Sequence, residues 1–180
     1  METTLPIIWG AIIGFIIIMY VILDGFTLGS GILLPLLTKG QRDLAISMIL
    51  PTWDGNQTWL VLGGASLYGA FPLAFSVLLP TLYIPLMLMV IFLLFRGVAF
   101  EFRLKAAEGK KWWDRLFSLA SLVVTLIQGT VVGNMVLGFD RPHHYFNPFT
   151  IFTAIGLVIA YSLLGCTRLI LKTEGAMQEK

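Results

Sequence analysis

The length, composition and charge of this chain indicate an integral membrane protein. Its 180 residues are 57% hydrophobic and 12% charged, with a formal net charge of +2 at pH 7, and the mean hydropathy is +0.87. A soluble globule of this size would need more polar surface than these residues supply. A soluble enzyme is therefore excluded, and no nucleic acid is expected among the partners.

The first apolar run, Leu5–Leu37, contains one charged residue, Asp24. The preceding METTLP has no positive segment and no small-residue cleavage site follows, so we expect a retained spanning helix, not a signal peptide. A charge at membrane depth is costly, which makes Asp24 a candidate functional residue, with helix–helix hydrogen bonding as the alternative. Gly25, Gly29 and Gly31 leave little bulk beside it and permit a close helix neighbour.

The next feature is the stretch PTWDGNQTW, which opens a long uncharged run. Polar side chains lie between two tryptophans here: Trp53, Asp54, Asn56, Gln57 and Trp59. Asp54 has two interpretations. Aspartate, glycine, asparagine and threonine are common at helix starts, where a carboxylate caps free N–H groups. Alternatively, Asp54 exchanges protons with water, an interpretation that depends on a family resemblance given below.

The uncharged run Gly55–Phe95 would extend roughly 60 Å as one helix, about twice the thickness of a hydrocarbon core. We therefore expect it to cross the membrane twice, with Pro80 and Thr81 at the bend. At its inner end, Arg96 can hold a carboxylate from a neighbouring helix or a partner subunit, or extend to the surface alone. Glu101 and Lys105, spaced i,i+4, are predicted to form a surface pair.

The rest of the chain contains an inner loop and two further spanning helices. The basic segment Arg103–Arg115 is predicted to be the loop, with tryptophans at the membrane interface. The helices are Leu116–Phe139 and Pro148–Thr167. In the first, Gln128 and Asn134 are expected to form interhelical hydrogen bonds.

The distribution of basic residues predicts the topology. Five crossings with the N-terminus outside and the C-terminus inside put eleven of the twelve basic residues inside, leaving Arg141 outside. Four crossings, with Gly55–Phe75 re-entrant, move Lys39 and Arg42 outside. We therefore predict an all-α bundle of about five transmembrane helices, with residues 1–180 forming a single domain.

Candidate haem ligands are scarce. The two histidines, His143 and His144, are neighbours in the predicted outer loop FDRPHHYFNPF and not on a spanning helix. No GxSxG, phosphate-binding loop or HExxH is present. We expect no catalytic residue, no metal site and no redox centre on this chain.

Several motifs together resemble a known family. LDGFTLGSGILLP, PTWDGNQTWLVLGGASLYGAFPLAF, LFRGVAFEFR and QGTVVGNMV occur in the order found in subunit II of the cytochrome bd-type quinol oxidases, including the cyanide-insensitive branch. WDGNQTW before a glycine-rich helix is the most specific of them. Family members are roughly twice as long, so the chain resembles their N-terminal half.

The resemblance implies a function. Bd-type oxidases, in the bacterial cytoplasmic membrane, take electrons from quinol and reduce dioxygen to water, with haems b and d in subunit I. Subunit II is the haem-free partner that packs against subunit I. The resemblance also implies a proton-transfer role for Asp24 and Asp54. It further implies a bound structural quinone, contact with membrane lipid, and a small accessory membrane subunit as a partner.

Two other functions remain open from the residues alone. A buried aspartate on a glycine-rich helix also suits one repeat of an ion-coupled transporter. A non-catalytic assembly protein of the membrane is the third possibility. A haem-bearing partner distinguishes the oxidase from both.

Overall fold

A computed structural model describes residues 4–106, 108–138 and 147–172, and these ranges contain α-helices and no strand. The helices are α1 (Thr4–Leu33), α2 (Lys39–Ile49), α3 (Trp53–Ala70), α4 (Pro72–Lys105), α5 (Lys110–Leu137) and α6 (Pro148–Lys172), and a 3-10 turn, Leu34–Leu36, follows α1. The expected all-α membrane architecture is confirmed. Arg141, His143, His144 and the last eight residues lie outside the described residues.

Four helices in the described part of the chain, α1, α4, α5 and α6, are long and apolar enough to cross a membrane. The fifth long helix, α3, does not reach the same apolarity because its first turns carry Asp54, Asn56 and Gln57. Its 18 residues nevertheless extend about 27 Å, close to the thickness of a hydrocarbon core.

Ion pairs bring several helix ends to one end of the bundle. Arg103, at the end of α4, donates from Nη2 to Asp43 Oδ1 of α2 at 2.8 Å and from Nε to Asp114 in the first turns of α5. Arg168, near the end of α6, lies 3.5 Å from Thr52 Oγ1. Leu34, directly after α1, packs in one core cluster with Phe100 of α4, Phe117 of α5 and Leu169 of α6. The carboxyl ends of α1, α4 and α6 therefore share a face with the start of α5.

This arrangement bears on the number of crossings. Because α1 and α4 both end at this face, the chain between them must return to the other face, and α3 is the helix that makes the return. Five crossings place α2 and the α4–α5 connection on the same side of the membrane, as this geometry does. Four crossings would place them on opposite sides. The number of crossings and the cytoplasmic face stay predictions.

The bend predicted at Pro80 and Thr81 is wrong. α4 is one helix that contains Pro80 and Pro85, and the break falls before it, at Phe71, with φ −134° and ψ 64°. A residue before proline avoids the helical region, and Pro72 at the first helical position suits a helix start. Internal prolines are tolerated in membrane helices because neighbouring helices and hydroxyl side chains satisfy the freed backbone groups.

Two differences concern the face that carries the ion pairs. α4 continues to Lys105 and α5 begins at Lys110, so the predicted loop Arg103–Arg115 is mostly helical and only 106–109 connect the helices. Long basic side chains can extend from a helix end to the membrane surface, so their presence does not require a loop. The short helix α2 was not predicted.

Arg42 attaches α2 to the end of α1. Its Nε donates to Leu34 O at 3.1 Å and Leu37 O at 2.9 Å, which satisfies carbonyls that a helix end leaves open. The hydrogen bond from Arg103 lowers the pKa of the neighbouring Asp43 on the same helix. α2 therefore belongs to the bundle.

Glycines allow the helices on the other side of α1 to touch. A Cβ on Gly29 would overlap the carbonyl oxygen of Tyr161, and one on Gly165 would lie 2.5 Å from Gly29 C, so α1 and α6 meet backbone to backbone. A Cβ on Gly133 of α5 would likewise lie 2.9 Å from Thr150 Cα of α6. Small residues allow such contacts in membranes, where packing drives helix association.

Cysteine labelling tests the topology. In a Cys166→Ser background, single cysteines replace Gly40, Glu108 and Gly69, and a membrane-impermeant reagent is applied from outside the cell. Five crossings predict labelling at position 69 only, because α2 and the α4–α5 connection share the inner face. Labelling at position 40 with protection at position 108 would instead indicate four crossings.

Candidate functional site

The candidate site is a buried ion pair between α1 and α4. Asp24 is 0% exposed and Arg96 is 1% exposed, and Arg96 Nη1 lies 3.0 Å from Asp24 Oδ1. Thr27 donates to the same carboxylate oxygen at 2.6 Å and accepts from Arg96 Nη2 at 2.5 Å. The guanidinium carbon of Arg96 also lies 5.4 Å from the centre of the Phe117 ring.

Sequence spacing accounts for part of this cluster. Tyr20, Asp24 and Thr27 fall at i, i+4 and i+7 and share one face of α1. Gly97 follows Arg96, and a Cβ there would lie 3.4 Å from the Trp53 ring, so α3 packs closely beside the pair. Solvent does not reach the ion pair because α1, α3 and α4 surround it.

The second oxygen of Asp24 has a different environment. Oδ2 is buried without a hydrogen-bond partner among the described residues, and so are Arg96 Nε and Gln57 Nε2. Tyr20, one turn away on α1, faces the carboxylate and interacts with it. Arg96 and Thr27 thus occupy Oδ1 and leave Oδ2 free of their hydrogen bonds.

A second buried polar group extends from Tyr20. Tyr161 of α6 donates its hydroxyl to Gln128 Oε1 at 2.9 Å, and Gln128 Nε2 donates to the Tyr20 hydroxyl oxygen at 2.7 Å. Gln128 therefore forms the interhelical bonds expected of it. Asn134 forms no interhelical bond to a described residue, and its side chain donates to Thr130 O at 2.8 Å within α5. Because both Gln128 contacts are directional, they fix the position of the Tyr20 hydroxyl beside Asp24.

Asp54 lies outside this buried cluster. It is exposed, in the first turn of α3, and forms no hydrogen bond or ion pair with the described residues. The cap position belongs to Thr52, so Asp54 is not the N-cap that its sequence context suggested. At the second helical position its carboxylate still interacts favourably with the helix dipole.

Asn56 connects the two aspartates structurally. Its Nδ2 donates to Leu23 O at 2.9 Å, which places this part of α3 against the backbone next to Asp24. Asp54 precedes Asn56 by two residues, about 3 Å of helix rise. The exposed carboxylate thus lies within about one helix turn, along the bundle, of the level of the buried one.

The other predicted site residues fill packing positions. Trp53 packs on Phe100, with ring centres 5.5 Å apart, and Trp59 contacts Phe15 edge-on at 6.2 Å. Glu101 pairs with Lys105 at 2.7 Å on the surface. None of these residues contacts Asp24 or Arg96 through a hydrogen bond.

An apolar cavity of about 390 Å³ lies next to Tyr20. Side chains of α1, α3 and α4 form most of its wall, including Ile13, Tyr20, Trp59, Leu78 and Leu82. Its apolar lining suits an apolar ligand.

No group of three or more metal-binding side chains occurs in the part of the chain that the structure describes. That part contains no histidine, because His143 and His144 fall outside it. The described residues therefore do not fit an imidazole-ligated haem.

Some residues of the site were not predicted. Thr27 and Tyr20 could have been found, because they share a helix face with Asp24. Tyr161 could not, since 137 positions separate it from Asp24 and no local pattern connects them.

Comparisons with known proteins agree with the motifs. The profile of the family described as Cytochrome bd terminal oxidase subunit II matches residues 5–180. "Cytochrome bd-I ubiquinol oxidase subunit 2" of Escherichia coli (strain K12) is 30% identical over 96% of this chain and 50% of its own length.

Two further relatives agree. "Probable cytochrome oxidase subunit 2" of Haemophilus influenzae is 30% identical over 98% of this chain and 51% of its own length. "Cytochrome bd ubiquinol oxidase subunit 2" of Bacillus subtilis is 28% identical over 96% and 55%. The chain spans about half the length of the curated relatives it matches. With a family profile that covers nearly all of it, the chain belongs to the cytochrome bd terminal oxidase subunit II family.

Proposed function

We propose that this chain is the haem-free subunit II of a quinol oxidase in the bacterial cytoplasmic membrane. Family membership is the observation that carries this proposal, because the relatives from Escherichia coli and Bacillus subtilis are described as ubiquinol oxidase subunits. The chain packs against a haem-bearing subunit I, whose haems b and d supply the chemistry that reduces dioxygen to water. A small accessory subunit completes the complex.

The residues of this chain contribute a path for protons. Dioxygen reduction consumes protons, and Asp54 is exposed at the start of α3, where its carboxylate exchanges protons with water. Asp24 is the next acceptor, since its Oδ2 has no hydrogen-bond partner among the described residues. A proton is taken up from water at the Asp54 end, bound at Asp24 Oδ2 and released towards subunit I.

Arg96 and Thr27 are positioning residues for this step. They bind Asp24 Oδ1 and so leave Oδ2 as the oxygen able to accept a proton. The positive charge of Arg96 compensates the ionised carboxylate when no proton is bound. The ionised form of Asp24 is therefore the resting state, and the protonated form is a short-lived intermediate because it leaves Arg96 without its counter-charge.

We further propose that the apolar cavity beside Tyr20 holds the structural quinone. The wall is apolar, which suits the ring and the isoprenoid chain of a quinone. This quinone stabilises α1, α3 and α4 against one another and takes no part in electron transfer.

Co-purification tests the oxidase assignment. An affinity tag on this chain should recover a complex with haem absorbance that quinol can reduce. A transporter repeat or an assembly protein would be recovered without stoichiometric haem. Recovery of the chain alone under conditions that keep other membrane complexes intact would contradict the assignment.

Asp54→Asn tests proton uptake. Asparagine is similar in size and suits the first turn of a helix, but it cannot ionise. We expect normal assembly and an oxygen-reduction rate at least about tenfold lower, equivalent to roughly 1.4 kcal/mol in the barrier. Haem reduction by quinol should persist. A near-normal turnover in the intact complex would leave Asp54 with a helix-start role only.

A matched pair of variants separates the structural and proton roles of Asp24. Asp24→Asn leaves the buried Arg96 without its counter-charge, which destabilises by about 3–5 kcal/mol, so assembly should fall. The double variant Asp24→Asn with Arg96→Gln removes both charges and should recover assembly, measured by haem content.

The recovered double variant should remain slow in oxygen reduction, by at least about tenfold, because no carboxylate remains to carry the proton. Recovery of both assembly and turnover would show that Asp24 serves only as a structural ion pair. Glu101→Gln, on the surface of α4, is the control and should change neither property.

A further inference from the structure

A basic cleft lies at the end of the bundle where α1, α4 and α6 finish. It consists of two adjoining cavities of about 320 and 610 Å³ that share Arg42, Lys111 and Asp114. The charged residues that line it are six cations and three acids: Lys39, Arg42, Arg103, Lys110, Lys111 and Arg115, with Asp43, Glu108 and Asp114. The cleft therefore carries an excess of three positive charges.

Two of the three acids are paired with only two of the six cations. Arg103 binds both Asp43 and Asp114, and Asp114 also lies 3.8 Å from Arg42 Nη1. The remaining two nitrogens of Arg42 bind backbone carbonyls at the end of α1. Two of the three acids are thus already paired with the two arginines that hold α2, α4 and α5 together.

The other cations keep their charge available. Lys39, Lys110, Lys111 and Arg115 form no ion pair among the described residues, and only Glu108 remains as an unpaired acid nearby. Arg115 lies over the Trp112 ring, 5.1 Å from its centre. Asp43 and Asp114 are paired with two arginines, and four further cations have no ion pair among the described residues. Such a cluster is complementary to an anion from outside the chain.

The surroundings of the cleft favour a lipid as the source of that anion. Trp112 is 72% exposed, as expected of a tryptophan at the membrane interface. Apolar side chains beside the cleft are also exposed, Leu36 by 77% and Phe102 by 54%. The cations of the cleft and these exposed apolar side chains together match the two parts of a phospholipid, a charged headgroup and apolar acyl chains.

We propose that this cleft binds the phosphodiester headgroup of an anionic phospholipid. Lys110 and Lys111 at the start of α5 and Lys39 on α2 face the headgroup, while the acyl chains lie along the exposed apolar side chains. Basic pockets between membrane helices bind acidic lipids in this manner. A zwitterionic lipid brings its own ammonium group and loses most of the electrostatic attraction. The bound lipid bridges α2 to the α4–α5 connection.

Native mass spectrometry of the intact oxidase complex tests this site. Phosphatidylglycerol and phosphatidylethanolamine with identical acyl chains are added separately, and retained lipid is counted. The wild type should retain phosphatidylglycerol preferentially. The double variant Lys110→Gln with Lys111→Gln should bind it at least about tenfold more weakly, because each lysine near an acidic lipid contributes about a fivefold factor or more.

Lys105→Gln is the matched control. Lys105 is also on α4 near this face, but it pairs with Glu101 and does not line the cleft, so its loss should leave lipid binding unchanged. Equal retention of phosphatidylglycerol by the wild type and the double variant would overturn the proposal. Equal retention of both lipids by the wild type would overturn it too.

Two further measurements cover a failure of assembly and the binding of a soluble anion. If the double variant does not assemble, Lys39→Gln on the other side of the cleft replaces it, with an expected weakening of about fivefold; unchanged binding in that variant contradicts the proposal. Millimolar inorganic phosphate should not displace the lipid, because it has no acyl chains. Displacement by phosphate would identify a soluble anion as the ligand and overturn the lipid assignment.

Discussion

The ion pair between Asp24 and Arg96 fixes how α1, α3 and α4 pack. Both partners are almost fully excluded from solvent, and removing one partner of such a pair costs about 3–5 kcal/mol because the other charge stays buried. α4 must therefore present Arg96 to the same face of α1 that carries Thr27. α3 covers this face, anchored by the hydrogen bond from Asn56 to Leu23 O. The proton-relay proposal depends on this arrangement because it encloses one acidic side chain and exposes another.

The opposite side of α1 satisfies a different constraint. A Cβ on Gly25 would lie 2.9 Å from Tyr161 Cε1, and Gly29 meets the backbone of α6. This close approach brings Tyr161 near enough to bind Gln128, which in turn binds Tyr20. α1 thus has one polar face and one face nearly without side chains. The close packing of α6 on the second face brings Tyr161 into hydrogen-bonding reach of Gln128, the partner of Tyr20 on the polar face.

The sequence predicted the elements whose signals are local. Long apolar runs identified the long helices, a charge in an apolar run identified Asp24, and small residues identified the close helix contact of α1. Contacts between residues that are far apart in the sequence were not predicted. Arg96 could be assigned a carboxylate partner but not Asp24 specifically, because 72 positions separate the two.

Two wrong predictions have the same origin. The turn at Pro80 was chosen because proline disrupts helices in water, but neighbouring helices in a membrane protein stabilise a helix through such a residue. The basic segment Arg103–Arg115 was assigned to a loop from its charge alone. α4 and α5 extend into this segment because Arg103 binds two carboxylates, Asp43 of α2 and Asp114 of α5. A local sequence pattern does not reveal these partners.

The two aspartates have different environments, and the proton-relay proposal assigns a role to that difference. A buried carboxylate that only holds helices together is most stable when both oxygens are hydrogen-bonded, and an oxygen left without a partner costs about 1–3 kcal/mol. Asp24 has partners on Oδ1 and none among the described residues on Oδ2. In the proposed relay Oδ2 is the oxygen that binds the proton, because Oδ1 already accepts hydrogen bonds from Arg96 and Thr27. The same proposal assigns proton uptake to Asp54 because it is the exposed carboxylate on the neighbouring helix.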